Sequence, residues 1–161
     1  MTSAEAAALA LQDRAALWRT GEAGAADVVS SACDALVAGV DSPALRILAA
    51  CTRAEADYDV HDLLPPALDE LGLVLHPAGS RAAQEAGVRA LATRTLAGEL
   101  TPRELAFRVH WRFGHDFSPA ERLAVLDDEY DYLEHGEDTA QVDADVLAEA
   151  RRITAVVRPV P

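Results

Sequence analysis

Five histidines, two cysteines and a crowded set of carboxylates are the side chains of this 161-residue chain whose types permit chemistry. His115-Asp116 has the form of a base beside an orienting carboxylate, but no serine or cysteine stands in a recognisable nucleophile elbow to use it. Asp57-x-Asp59-x-His61 gathers three possible ligands within five residues. Alternate residues share a face only in a strand, and this stretch reads as a loop entering a helix, so an N-cap role for an aspartate is expected rather than a metal role. Cys33 and Cys51 lack CxxC or Cys/His spacing and are expected as buried thiols that pack as small hydrophobes rather than as a disulfide. With no phosphate-cradling glycine loop, GxSxG, HExxH, EF-hand or dinucleotide fingerprint, no catalytic residue, metal ligand or cofactor is assigned.

The carboxylates are the more informative group. Residues 81–126 carry seven Arg against five acids, and residues 127–150 carry ten acids and no Arg. At 100° per residue Asp127, Asp131 and Glu134 share one face, in the C-terminal half of a helix where the macrodipole disfavours negative charge. Like charges four apart cost about 0.2 to 0.5 kcal/mol each. Three things can offset that: basic side chains of the same fold, a bound cation, or a basic partner. Pairing within the chain, or plain solvation, is the default. The functional alternative is a partner-binding face of Asp127, Asp128, Asp131 and Glu134, with Tyr130 and Tyr132 as aromatic anchors. A metal is the weakest option, because no Glu-x-x-His pair is present and Glu134 and His135 point to different sides.

A second irregularity lies in residues 102–113. Leu105, Val109 and Phe113 form one apolar stripe, while Phe107 and Trp111 form another on the opposite side. A helix buried on both faces is the expectation; the alternative is an exposed stripe with Arg108 and Arg112 beside it, which would resemble an interaction hot spot or the contact of a homo-oligomer.

The elements that carry these residues read as helices throughout. Half of the residues are apolar and only 5% aromatic, with alanine prominent, which favours closely packed helices over a β-sandwich. Thr2-x-x-Glu5 opens a first helix, and Val29, Ala32, Cys33, Leu36 and Val40 mark a second. Ser42-Pro43 starts a third, and Val60 to Leu71 a fourth in which Pro65-Pro66 requires a late start or a break. Residues 73–80 are a loop, a helix follows from about 81, and Thr101-Pro102-Arg103-Glu104 is the strongest helix start in the chain. Ser118-Pro119-Ala120-Glu121 reads as another start, and a last helix is expected from 143 to about 153.

These readings predict an all-α, compact multi-helix bundle of about seven to eight helices in a single domain over 1–157, with a frayed tail over 158–161. Gly21-Glu22 recurs at Gly98-Glu99 and Ser42-Pro43-Ala44-x-Arg46 at Ser118-Pro119-Ala120-x-Arg122, at offsets of 77 and 76 residues. That order is consistent with two duplicated helical sub-bundles, about 3–72 and 81–153, or with the ordinary recurrence of helix punctuation.

A net charge of −13 argues against nucleic acid as a partner. With no signal peptide and no membrane-spanning apolar run, a cytoplasmic protein is expected. The leading functional expectation is a non-catalytic protein-interaction module whose acidic face binds a basic macromolecule, as an immunity, antitoxin-like or inhibitor protein would. The alternative is a small ligand- or metal-binding helical bundle or enzyme, with a site between the halves lined by His110, His115, Trp111 and nearby Arg.

Overall fold

Thr2, Ser42 and Thr101 each accept a hydrogen bond from the backbone N–H three residues on, at 3.1, 3.2 and 3.2 Å, and each starts a helix. Glu5 and Glu104 reciprocate to the cap N–H groups, completing the two boxes expected from sequence. The computed structural model describes residues 1–133 and 138–155. Among them are eight helices and no strand: α1 (Ser3–Arg19), α2 (Ala25–Val37), α3 (Pro43–Ala50), α4 (Ala56–Glu70), α5 (Arg81–Leu96), α6 (Pro102–Phe113), α7 (Glu121–Tyr132) and α8 (Ala140–Ala155). The protein is an all-α, multi-helix bundle. The expected tail over 158–161 lies outside the described residues, as do Glu134 and His135.

Helix ends explain part of the repeated sequence marks. Gly21 and Gly98 adopt positive φ, and the residue after each donates its N–H five residues back, Glu22 to Leu17 at 2.8 Å and Glu99 to Arg94 at 2.9 Å. The same closure ends α2 and α4, through Val40 to Ala35 and Leu73 to Leu68. The Gly-Glu pairs therefore mark a stop shared by four helices. The Ser-Pro pairs differ from each other: Ser42 caps α3, whereas residues 118–120 form a turn and α7 begins at Glu121 with Ala120 in the cap position.

The chain divides into two compact units, Met1–Gly87 and Val88–Pro161, with the division inside α5. In the first, α2 packs on α1, α3 and α4, and α3 packs on α4. Leu11, Val28, Leu45, Leu48, Val60, Leu64 and Leu68 are fully buried there. The 73–80 loop belongs to this unit, since Leu73 and Leu75 lie against its core and the Val74 N–H donates to Gln12 Oε1 at 2.9 Å.

Three local expectations change here. α4 runs unbroken through Pro65 and Pro66, because burial of Val60, Leu64, Ala67 and Leu68 along one stripe outweighs the lost N–H groups and the proline sterics. No aspartate caps α4; Asp57 and Asp59 are inside its first turn, and Glu55 instead accepts from the Thr52 N–H at 3.0 Å and from its hydroxyl at 2.6 Å. Cys33 is exposed, because the buried stripe of α2 runs through Ala25, Val28, Ala32 and Ala35 and turns it outward. Both cysteines are free.

In the second unit α6, α7 and α8 pack on one another. Leu91, Leu105, Val109, Leu123, Leu126, Val146 and Ala150 fill the core. α6 and α7 run antiparallel, since Arg103 at the start of α6 meets Tyr130 and Asp131 near the end of α7, while His110 near the end of α6 meets Asp127. No helix among the described residues is long and apolar enough to cross a membrane.

Candidate functional site

The face that α7 turns toward α6 carries charge. Asp127 follows Leu123 by four residues and precedes Tyr130 by three, so it shares their buried stripe instead of projecting into solvent. Its side chain is only 10% exposed, and its Oδ2 lies 2.9 Å from His110 Nδ1. Nδ1 is thus the ring nitrogen that faces the buried carboxylate. Asp128, one residue on, stands 3.8 Å from His110 Nδ1 and 3.1 Å from His115 Nε2. The two imidazoles meet edge to face with centroids 4.7 Å apart.

His115 reaches this place because Gly114 ends α6 at a φ of +64°, a conformation that favours glycine. The chain then folds back so that Phe117 is buried and its ring lies 5.2 Å from that of Phe113. His115 therefore pairs with Asp128, across the helix pair, and the sequence neighbour Asp116 is not its partner in this cluster.

The remaining acids of the C-terminal block are largely tied to their own chain. Asp131 lies 3.7 Å from Arg103, Glu129 3.0 Å from Arg122, and Glu149 2.8 Å from Arg152. Asp143 accepts from the Tyr130 hydroxyl and, at 2.9 Å, from Thr139. Burial first, and then the hydrogen bond and charge of Asp143, hold the Tyr130 phenol well above its ordinary pKa, so it stays neutral. The charge conflict read along α7 is thus offset by intramolecular pairing, and at Asp127 and Asp128 the counter-groups are histidines. Asp127 and Tyr130 are buried, which removes them from any surface offered to a partner. Asp128 is partly exposed, and Asp131 and Tyr132 are exposed. Glu134 lies outside the described residues.

The outer side of α6 also departs from expectation. Leu105 and Val109 are buried, but Phe107 and Trp111 are 55% and 79% exposed, so the helix is covered on one face only. The physical reason is that α7 and α8 both pack on the Leu105 and Val109 side. Exposed Arg112 and partly exposed Arg108 lie between the two stripes, while Arg103 reaches Tyr130 and Asp131 of α7.

A second cluster, Cys51, Glu55 and Asp59, brings three potential ligand atoms together at the start of α4. Burial and the charges of Asp59 and Glu55 push the Cys51 thiol up, which disfavours a thiolate there, and Glu55 is engaged by the Thr52 N–H and hydroxyl.

No family model, curated protein or solved structure matches this chain.

Proposed function

We propose that this chain is a non-catalytic helical interaction module that docks a protein partner on the outer face of α6. The observation that carries this reading is the exposure of Phe107 and Trp111 one helical turn apart, on a helix that buries Leu105 and Val109 on its opposite side. Fully burying a large apolar side chain is worth about 1.5 to 3 kcal/mol, and the exposed part of each ring forgoes its share. Tryptophan flanked by arginine is the composition of interface hot spots, where a partner's pocket recovers that loss.

The reading shifts the docking point expected from charge alone. The net charge of −13 still favours a basic partner over a polyanion, but the block of acids contributes fewer free carboxylates than its sequence promised, because most are paired at home. Among the described residues of this block Asp131, Tyr132 and Asp138 are exposed, with Asp131 3.7 Å from Arg103.

Affinity capture from the native host separates the two surfaces. Phe107→Ser/Trp111→Ser is expected to abolish retention of the partner, while Asp131→Arg leaves it largely intact. Retention undiminished in the double aromatic variant removes the α6 face from consideration. Sedimentation of the wild type at several concentrations identifies the case in which the partner is a second copy.

A further inference from the structure

From the histidine and carboxylate cluster at the α6 to α7 contact, we infer a binding site for a first-row divalent transition-metal ion, ligated by His110, His115 and Asp128. Each of the three residues offers one ligand atom, and these atoms all lie within 4.8 Å of one another. Metal bonds of 2.0 to 2.2 Å in a tetrahedral arrangement place donors about 3.3 Å apart, so the group must contract by about 1.5 Å at most. His115 and Asp128 have the freedom to do so, with side chains 47% and 42% exposed, while His110 is held in place.

The chemistry of the donors selects the ion. Two imidazoles and one carboxylate suit zinc and its neighbours; calcium and magnesium prefer all-oxygen shells. Asp127 is the positioning residue: its buried carboxylate, 2.9 Å from His110 Nδ1, holds the orientation of that ring, in the manner by which carboxylates back metal-bound histidines. Together Asp127 and Asp128 bring two negative charges, which balance a dication. Three protein ligands leave the coordination shell open to water or to a donor from another molecule. The site is independent of the α6 outer face, since it uses the side of the helix turned toward α7.

Calorimetric titration of the full chain, stripped of metal, with zinc and separately with magnesium tests this. One equivalent of zinc binding is expected, with no magnesium binding. His115→Gln, at an exposed position that the fold tolerates, is expected to abolish the event, and Asp128→Ala to do the same. Asp127→Asn is expected to weaken binding by about 10 to 100-fold, with unchanged circular dichroism. A Cys33→Ser/Cys51→Ser chain is expected to bind as the wild type does. Absence of zinc uptake by the wild type overturns the assignment, and so does uptake that survives His115→Gln or disappears with the cysteines.

Discussion

Single side chains of the second unit are arranged so that charge sits next to core. Tyr130 is the sharpest case, because its hydroxyl is buried against a carboxylate and its proton is retained in the folded state. An unfolded chain releases that proton near pH 10, so folding stability should fall as pH rises above about 10. Tyr130→Phe removes both the hydrogen bond and this linkage. Urea denaturation should show it less stable than wild type by about 1.5 kcal/mol at pH 8, with a smaller further loss between pH 8 and 11. An equal alkaline loss in the two proteins would place the linked proton elsewhere. The position of Asp127 was readable in principle, since an acid in register with Leu123 and Tyr130 must find a buried partner. What sequence withheld was the identity of that partner, His110, seventeen residues away on a different helix. Spacing along one helix reports its own face and nothing of what meets it. For the same reason His115 was read with Asp116, its neighbour in sequence, when the fold gives it Asp128.

Helices were legible where their ends are written in local chemistry. Thr2, Ser42 and Thr101 cap where their side-chain types say they should, and the bounds of α1, α3 and α6 follow from them. Legibility failed where tertiary burial overrides local preference, as in the proline pair of α4, and where a stripe's width had to be guessed, as at Cys33 and Trp111. Gly87 is a further position at which local and tertiary preferences oppose each other. Inside α5, alanine in its place would gain about 1 kcal/mol of helix propensity. A Cβ there would however meet Thr20 Cγ2 at 2.6 Å and Oγ1 at 2.7 Å, and that hydroxyl is anchored on the Ala16 and Leu17 carbonyls at the end of α1. Overpacking of this kind costs about 1 to 3 kcal/mol, so Gly87→Ala is expected to lower the melting temperature despite its better helix former. A melting temperature raised by the substitution would mean that Thr20 yields freely.

At the scale of the molecule, composition favoured the helical class, and caps, glycine stops and apolar spacing gave about seven to eight helices, of which eight stand among the described residues. None of this says which faces stay uncovered, and both proposed sites depend on that. One feature of the first unit bears on how the chain acquires its shape. Pro65 and Pro66 supply no N–H, and a residue preceding proline avoids helical angles, so the 56–70 stretch has little helicity of its own to contribute early in folding. Its turns are expected to form as Val60, Leu64 and Leu68 dock against α2 and α3, on which α4 packs. A synthetic peptide of residues 56–70 should therefore be a coil in water while one of residues 2–20, with its capping box, shows measurable helix by circular dichroism. The order of assembly in this unit would then run from the capped first helix toward the proline-bearing one, which makes α4 the segment whose amide protection reports completion of the core.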